Sequence, residues 1–317
     1  MGPWRGRLAA ALLTLLLEGM AGPEAALARN EGWYRFPLGA FEVTVVSDGN
    51  LLVPTEGLGA DRERAEVTAF LERYLLDPEV TYAHANHAVI DTGAARLLVD
   101  VGSGNRFQPS AGRLLDNLEA AGIAPDSITH VVLTHAHPDH LWGMRDDFGD
   151  DLRFPDAEVA MSAVEFDWWL DEERLQQVPE ALQGFVVGAR NALAPIAGEV
   201  RLLEGAVEIL PGIRVLPTPG HTPGHLSLLV ESRGAALLVT GDAVTHAQVS
   251  FERPDWHYAM DLDRTAGAAT RRRLLETAAD RRLLILGYHL PFPGLGHAIR
   301  DGEAFRFVPA PWRWGDD

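Results

Sequence analysis

The sequence predicts a layered α/β fold with mixed β-sheets, because short apolar segments and helical segments alternate along both halves of the chain. Runs rich in valine, isoleucine and leucine, bounded by turn-forming residues, predict strands. Segments with apolar residues at helical spacing lie between these runs and predict helices. An all-β sandwich or a helical bundle would lack this alternation, so both are disfavoured.

The predicted elements alternate as follows. Strands are expected at Phe41–Ser47, His87–Asp91, Arg96–Asp100, Ile128–Thr134, Ile213–Pro217, His225–Val230, Ala235–Gly241 and Arg282–Gly287. Helices are expected at Ser110–Ala121, Ser162–Asp171, Glu180–Leu193 and Asp263–Ala279. Asp48-Gly49 and Asp91-Thr92-Gly93 predict tight turns between consecutive strands, so the first part of the chain should contain hairpins.

The N-terminus has the three-part pattern of a secretory signal peptide. Arginines precede an apolar run, Leu8 to Leu17, and a stretch of small residues ends at Ala28. This run is too short to span a bilayer as a helix, which needs about 20 residues. We therefore expect a signal peptide at residues 1–28, one domain at residues 29–317, and a secreted or periplasmic protein without stable membrane insertion. A homodimer is one expected state.

Charge and cysteine content restrict the function. The formal net charge is -18, which opposes the neutralisation of phosphates on which most nucleic-acid binding depends. A nucleic-acid partner is therefore not expected. The chain has no cysteine, so it has no disulfide framework and no thiolate metal ligand. Any metal ion must be bound through nitrogen and oxygen atoms.

Four potential metal ligands lie within six residues, directly after the predicted strand Ile128–Thr134. They are His135, His137, Asp139 and His140. In an extended segment, residues two apart point to the same side, so the first two histidines can reach one metal ion together. Pro138 favours a turn or a helix start, which directs the next two ligands towards a second ion. A loop of three solvated histidines is the alternative, and so dense a cluster after an apolar strand disfavours it.

This cluster, His-x-His-x-Asp-His after a strand, resembles the first motif of the metallo-β-lactamase superfamily. Segments similar to the later motifs follow in order and end at His221, Asp242 and His289. The resemblance implies a four-layer αββα sandwich of two mixed β-sheets flanked by helices. It also implies two divalent metal ions, with zinc expected and iron, manganese or cobalt as alternatives. One ion would be held by His135, His137, His221 and Asp242, and the other by Asp139, His140, Asp242 and His289.

Such a site predicts hydrolysis of an ester-like bond in a small-molecule substrate. A hydroxide held between two divalent ions is available near neutral pH, because metal binding lowers the pKa of water from about 16 towards 7. Asp139 or Asp242 would carry the proton to the leaving group. Asp100, at the end of a predicted strand, could orient a ligand histidine or cap a turn. A structural role is expected for the other histidines, His225 among them, with a place in the substrate pocket as the alternative for His246 and His257.

From Phe41 through Val308, the chain is most similar to the methyl parathion hydrolase branch and its related lactonases. The tail from Tyr288 to His297 carries much of this resemblance. Lactones, aryl esters and organophosphate triesters are therefore the expected substrates. The branch implies an aromatic pocket beside the metal ions, with candidates at Phe107, Trp168, Trp169 and Phe292. His246 and His257 follow Asp242 closely enough in the sequence to line the substrate pocket as well. Of the two adjacent tryptophans, at most one should touch substrate.

Two departures narrow the function. Acyl-homoserine-lactone lactonases typically carry a tyrosine a few residues after the bridging aspartate, whereas Ala243-Val244-Thr245-His246 follows here. This difference disfavours a specific role as an acyl-homoserine-lactone lactonase. Classical zinc β-lactamases often use a cysteine ligand or lack the aspartate of the first motif. This chain has no cysteine and keeps Asp139, so true β-lactamase activity is not expected.

The alternatives fall into three classes: redox enzymes, nucleases and proteins that only bind zinc. A redox enzyme of the same fold, such as an iron-dependent dioxygenase, is the main alternative because iron also accepts histidine and carboxylate ligands. A flavin-coupled enzyme would need a further domain, for which too little chain remains. A nuclease is disfavoured by the acidic charge. A protein that only stores or senses zinc would not need two complete sites.

Overall fold

Two mixed β-sheets of seven strands each form the central layers of the protein, in a computed structural model that describes residues 31–146 and 151–313. The predicted signal peptide at residues 1–28 lies outside these described residues and stays a prediction, as does the homodimer. No helix in the described ranges combines the length and the apolar character needed to cross a bilayer.

The first sheet comes from the N-terminal half of the chain, and its strands are neighbours in chain order. They are β1 (Trp33–Leu38), β2 (Phe41–Pro54), β3 (Val80–Asp91), β4 (Arg96–Val99), β5 (His130–Val132), β6 (Glu158–Ser162) and β7 (Arg201–Leu203). The pairs from β1 to β4 are antiparallel, whereas those from β4 to β7 are parallel.

The second sheet comes from the C-terminal half and is also in chain order. Its strands are β8 (Val207–Leu210), β9 (Ile213–Pro217), β10 (Leu226–Ser232), β11 (Ala235–Val239), β12 (Leu284–Leu286), β13 (Leu295–Asp301) and β14 (Ala304–Pro309). Only β11 and β12 pair in parallel, and the helical crossover between them supplies the long helix of this half.

Helices connect the strands and cover the sheets. The α-helices are α1 (Arg64–Glu72), α2 (Leu114–Ala120), α3 (Pro138–Leu141), α4 (Ala163–Leu170), α5 (Arg174–Gln177), α6 (Glu180–Leu193), α7 (Val249–Glu252) and α8 (Arg264–Arg281). Short 3-10 helices lie at Thr55–Gly59, Pro125–Ser127, Trp142–Met144, Ala194–Ile196 and Gly241–Ala243.

The two sheets pack face to face because alternate residues of their strands are apolar. In β10, Leu228 and Val230 point into the layer between the sheets, whereas Leu229 points to the outer face. In β4, Leu97 lies between the sheets and Leu98 lies on the outer face. Fully burying each such side chain contributes roughly 1.5–3 kcal/mol. The period of two along each strand thus produces both the central core and the two outer ones.

Helices cover both outer faces. Buried residues of α2, α4 and α6 pack on the first sheet, and those of α7 and α8 pack on the second. The order of layers is therefore helix, sheet, sheet, helix. This confirms the predicted four-layer αββα sandwich.

The potential ligands collect at one edge of the sandwich. His135 follows β5, Asp242 follows β11, and His289 follows β12. β5 runs parallel to β4, and β12 runs parallel to β11, so the carboxyl ends of each pair meet at the same edge. Face-to-face packing then brings the two edges together.

The predicted turn at Asp48-Gly49 is wrong. β2 continues through this pair, and its register against β3 shifts between Ser47 and Asn50, as in a β-bulge. The Asp48 carboxylate accepts hydrogen bonds from the backbone N–H groups of Ser103 and Leu114 at 2.9 and 2.8 Å. The pair therefore anchors the loop after β4 instead of reversing the chain. The turn at Asp91-Thr92-Gly93 is confirmed between β3 and β4.

Other boundaries differ where local signals are weak. β9 and α6 match their predicted ranges, whereas β5 is shorter than predicted and β2 is longer. No strand was predicted at β1, β6, β7, β8, β13 or β14, and no helix at α1. β1 and β14 are edge strands, and β13 lies next to β14; all three are only partly buried, so they lack the continuous apolar run that predicts a buried strand.

Gly49→Ala should destabilise the fold. Gly49 has a φ of 106°, and an added Cβ would lie 2.2 Å from the Ser110 carbonyl oxygen. Left-handed strain and the clash together should lower the free energy of unfolding by about 3 kcal/mol, measured by urea denaturation. Gly93→Ala is the control, because its φ of 82° is also positive but no atom lies within 4 Å of the added Cβ. Equal losses in both variants would show that the bulge contact contributes nothing.

Candidate metal centre

The loop after β5 carries four of the potential ligands in a fully enclosed position. His135 and His140 are buried completely, and His137 and Asp139 nearly so. Pro138 occupies the first turn of α3, as its fixed φ favours. The helix start turns the chain between His137 and Asp139, so one short loop offers side chains in two directions.

The remaining potential ligands come from the second sheet. His221 lies in the loop between β9 and β10, Asp242 lies in the 3-10 helix after β11, and His289 follows β12. All three are buried. The structure thus brings together all seven of the residues that the resemblance implied.

These side chains form three overlapping groups whose potential ligand atoms lie within 4.8 Å of one another. The groups are His135, His137 and His221; His135, His140 and Asp242; and Asp139, His140 and His289. The first and third groups share no residue. The second group shares His135 with the first and His140 with the third. The arrangement fits a binuclear divalent metal site.

Asp242 is the central group of the cluster. Its Oδ2 lies 3.0 Å from His289 Nε2 and 3.3 Å from His221 Nε2. Its Oδ1 lies 3.2 Å from His140 Nε2. One carboxylate therefore faces ring nitrogens of both the first and the third group, which is the position of a bridging ligand.

Buried polar atoms without a hydrogen-bond partner point to the same chemistry. They include His135 Nε2, His140 Nε2, Asp139 Oδ2 and Asp242 Oδ1. Leaving such an atom unpaired costs about 1–3 kcal/mol, and more when it is charged. Imidazole nitrogen and carboxylate oxygen are ligands that zinc, iron and similar ions accept. The residues present therefore fit the divalent ions that the fold implies.

Charge is distributed unevenly within the cluster. Burial, together with the nearby His140 and His137, holds the pKa of His135 well below its usual range. Burial also acts against the charged form of His140, but the carboxylates around it outweigh burial and raise its pKa. Burial opposes ionisation of Asp242, yet His289 and His140 hold its pKa well below the usual range. Asp242 is therefore a carboxylate at neutral pH.

The His140 ring is held on the side away from the other potential ligands. The Asp100 carboxylate lies 2.8 Å from His140 Nδ1 and also accepts hydrogen bonds from the N–H and the hydroxyl of Thr134. Asp100 orients a histidine, which was one of the two roles expected. Its φ of 60° is left-handed, so the backbone there is strained. Tyr288 stacks on His140 with ring centroids 3.9 Å apart and donates a hydrogen bond to the Asp139 carbonyl oxygen.

Glu165 connects two ligand loops, and sequence reasoning missed it. One carboxylate oxygen accepts hydrogen bonds from the Ala136 N–H at 3.1 Å and from Trp169 Nε1 at 2.6 Å. The other accepts from the Gly224 N–H at 2.9 Å. Burial raises the pKa of Glu165, although these donors favour the carboxylate. A glutamate in an amphipathic helix carries no local sign of this role, because the two ligand-loop N–H groups that it joins come from other elements.

His225 is structural, in agreement with the sequence interpretation. Its Nε2 accepts a hydrogen bond from the Asp242 N–H at 3.0 Å, and its Nδ1 lies 2.8 Å from the Thr218 hydroxyl. Burial lowers the pKa of His225 to about 3, so the ring is neutral and can accept. It therefore fixes the backbone of the central carboxylate.

Aromatic residues form a wall beside His137. Phe185 lies 5.6 Å from the His137 ring and 6.0 Å from Phe107, measured between centroids, and Trp142 packs on both phenylalanines. Phe107 was a predicted pocket residue, whereas Phe185 and Trp142 were missed. Nothing local separates them from ordinary core aromatics. We call Phe107, Trp142 and Phe185 the aromatic wall.

The two predicted tryptophans have different surroundings. Trp169 is 1% exposed, and its ring edge faces His137 at 5.6 Å. Trp168 is half-buried and lies under the Arg174 guanidinium, 4.4 Å from its centroid. It lines a cavity of about 360 Å³ together with Pro219 and Pro223 of the His221 loop. Contact of either tryptophan with substrate stays a prediction.

The three other predicted pocket residues make contacts elsewhere. His246 is buried, and its Nδ1 accepts hydrogen bonds from the N–H groups of Gln248 and Val249 at the start of α7. The His257 backbone pairs with Ala60 and Asp61. Phe292 packs on Trp312 and on the core between the sheets. These contacts hold loops and core together, and contact of any of the three residues with substrate stays a prediction.

Tyr258 is a further residue that sequence reasoning missed. Its ring is nearly parallel to that of His221, at 13° and 6.2 Å between centroids. Burial raises the pKa of Tyr258, and the nearby carboxylates of Asp242, Asp261 and Asp139 raise it further. The phenol therefore stays protonated and keeps its hydrogen for donation.

Comparison with known proteins places these features in a family. A family model described as the metallo-beta-lactamase superfamily matches residues 83–289. An N-acyl homoserine lactonase of Bacillus sp is 28% identical over 141 residues, which cover 44% of this chain and 48% of that protein. A lactonase of the same description from Bacillus thuringiensis is 25% identical over 198 residues, or 62% and 66% of the two chains. The matches thus span about half to two thirds of these curated relatives.

Two solved structures match over more of their length. The hydrolase AbOPH, described as a member of the beta lactamase superfamily, has a TM-score of 0.83 and 28% identity, covering 90% of this chain and 99% of its own. AidC, described as a dizinc quorum-quenching lactonase and solved with a product, has a TM-score of 0.82 and 27% identity, covering 89% and 98%.

Replacement of His246 by asparagine should make stability less sensitive to acid. Burial lowers the pKa of His246 from 6.5 to about 4, so the unfolded chain binds a proton that the folded chain does not. The free energy of unfolding therefore falls between pH 6.5 and 4, by on the order of 3 kcal/mol from this group. His246→Asn keeps an acceptor for the start of α7 but cannot titrate. Urea denaturation should show a smaller loss in the variant, and identical pH profiles would contradict this role.

Proposed function

The chain belongs to the metallo-β-lactamase superfamily, and we propose that it is a metal-dependent hydrolase whose main substrates are lactones. The observation that carries this proposal is the position of the Asp242 carboxylate, which faces ring nitrogens of two separate ligand groups. When bound, two divalent ions lower the pKa of a water molecule and polarise the bond under attack. Zinc is our first candidate, with iron, manganese and cobalt as alternatives.

The protein's own residues supply orientation and proton transfer. Asp139 and Asp242 are the carboxylates inside the cluster, and we assign to them the transfer of the proton to the leaving oxygen. We also assign to the Tyr258 phenol, which stays protonated and whose ring lies beside His221, the donation of a hydrogen bond to an oxygen of the substrate. The enclosed ligand loops exclude bulk water, which strengthens each of these interactions.

Two observations support lactones as the main substrates. The curated relatives and AidC are described as lactonases. The aromatic wall offers an apolar surface next to His137, where an acyl or aryl group can pack. Aryl esters and organophosphate triesters need the same attack and oxyanion stabilisation, so we propose them as secondary substrates. Because no tyrosine closely follows Asp242, we leave the acyl group of the lactone open.

A substrate panel with metal reconstitution tests the proposal. Metal-depleted protein, reloaded separately with zinc, iron, manganese or cobalt, is assayed on an acyl-homoserine lactone, a simple γ-lactone, an aryl ester and an organophosphate triester. We expect kcat/KM to be highest for a lactone. Uptake of oxygen without hydrolysis of any ester would contradict the proposal and favour a redox enzyme.

Asp242→Asn should abolish the activity while the protein stays folded by circular dichroism. The bridging position loses its charge, so kcat/KM should fall by more than the roughly 10- to 100-fold that loss of an orienting partner costs. Asp255→Asn is the control, because Asp255 is an exposed aspartate that pairs with Arg272. Full activity in Asp242→Asn would refute a mechanism that depends on the shared carboxylate.

Phe185→Ala should reduce the affinity for substrates with long acyl chains. The aromatic wall would lose its contact beside His137, and we expect KM to rise about 10-fold for a long-chain lactone, with kcat little changed. A short-chain lactone should be unaffected. Phe36→Ala is the control, because Phe36 stacks on Tyr34 in β1, away from the wall. A uniform loss for short and long chains would show that Phe185 does not bind the acyl group.

A further inference from the structure

A buried series of hydrogen bonds runs from His221 to helix α8. His221 Nδ1 lies 3.0 Å from Asp261 Oδ1. The other oxygen of Asp261 accepts from Arg271 Nη2, also at 3.0 Å. The three side chains are only 1–3% exposed. A buried arginine next to a buried carboxylate balances its charge, and the pair is therefore compatible with the core around it.

Arg271 makes all its recorded hydrogen bonds to one stretch of chain, residues 243–261, which we call the covering segment. Its Nε donates to the Ala243 carbonyl oxygen at 3.3 Å. Its Nη1 donates to the carbonyl oxygens of Pro254 and Trp256 at 3.0 and 2.9 Å. Together with its hydrogen bond to Asp261, the planar guanidinium thus binds the beginning, the middle and the end of the segment at once. A lysine ammonium cannot do this.

The covering segment lies against His221 at two further points. The ring of Tyr258, on the segment, is nearly parallel to that of His221. The Leu262 N–H, one residue past the segment's end, donates to the His221 carbonyl oxygen at 3.0 Å. The segment begins one residue after Asp242, so it connects two potential ligands through the chain and through space.

The hydrogen bond to Asp261 also decides which nitrogen of His221 faces the metal centre. An ionised carboxylate can only accept, so Nδ1 must carry a proton, and in the neutral ring the lone pair then lies on Nε2. Nε2 lies 2.9 Å from His137 Nδ1 and 3.3 Å from Asp242 Oδ2. The nitrogen directed at the other potential ligands is therefore the one that can bind a cation.

We propose that Asp261 and Arg271 are positioning residues for His221, fixing its tautomer and holding the covering segment against the metal centre. This inference rests on the proposed function only in that the centre binds metal ions. Asp261 and Arg271 would affect only the ion that His221 binds. Asp100, which contacts His140, has the corresponding position for the other ion.

The chain offers a matched control on the same two elements. Arg272, the next residue of α8, pairs with Asp255 of the covering segment. This pair is 31% and 62% exposed, and neither residue has a recorded contact with a potential ligand. Asp255→Asn and Arg272→Lys therefore make the same chemical changes as Asp261→Asn and Arg271→Lys, at the same interface, but away from His221.

The test measures metal binding, so it does not depend on a substrate. Metal-depleted wild type and variants are titrated with cadmium, and the bound ions are observed by ¹¹³Cd NMR. In Asp261→Asn, the affinity of the ion near His221 should fall about 10- to 100-fold and its resonance should shift, while the second resonance stays in place. Asp100→Asn should affect the other resonance. The two control variants should match wild type.

Arg271→Lys should loosen the covering segment and weaken the same ion. Hydrogen exchange of backbone amides at residues 243–261 should be faster than in wild type, whereas exchange in the first sheet should be unchanged. Arg272→Lys should show neither effect. If only global exchange increases, Arg271 stabilises the fold in general and the proposal fails.

A measurement on the wild type covers the case in which a variant does not fold. Nitrogen NMR of the histidine side chains in metal-depleted protein should show His221 protonated at Nδ1. An Nε2–H tautomer would overturn the proposal. So would two cadmium resonances in Asp261→Asn with wild-type affinity and position. Wild type that binds two ions but hydrolyses nothing in the panel would instead contradict the proposed function and leave the positioning role intact.

Discussion

The Asp242 carboxylate is the interaction on which the rest of the centre depends. It lies at the carboxyl end of a strand in the second sheet, yet it faces His140 from the first sheet at 3.2 Å. Buried ring nitrogens at this spacing would be costly without a negative charge among them. His289 and His140 in turn hold the pKa of Asp242 low, so the charge is present at neutral pH. The packing of the two sheets and the charge balance of the cluster are therefore one constraint.

That constraint explains why so many buried polar groups lie behind the potential ligands. An imidazole must be held both in angle and in tautomer before it can bind an ion with regular geometry. Asp100 does this for His140, Asp261 for His221, and the His84 carbonyl oxygen for His289, which it meets at 2.7 Å. Each of these acceptors belongs to a different element. Assembly of the centre therefore requires the complete sandwich.

Features formed by one stretch of sequence could be predicted, whereas contacts between residues far apart in the sequence could not. His135 to His140 could be recognised because the ligands lie within one loop after one apolar strand. Their arrangement about Asp242 had to come from a family resemblance. Glu165 and Phe185 were not found at all, since the ligand loops that they contact lie on other elements. Asp48-Gly49 was misassigned for a related reason. The pair has the composition of a turn, but Asp48 is fixed by Ser103 and Leu114, which lie more than 50 residues away along the chain.

Asp100 and Asp261, which orient His140 and His221, differ in how firmly their surroundings are fixed. Asp100 follows a strand in the middle of the first sheet and is fixed by Thr134, so little can change around it without disturbing the core. Asp261 ends a segment that also carries Tyr258 beside His221, and its carboxylate accepts from Arg271. Substitutions in that segment can therefore move Tyr258 and the His221 ring together. Under the proposed function, substrate specificity and metal affinity are thus linked in the half of the centre that contains His221.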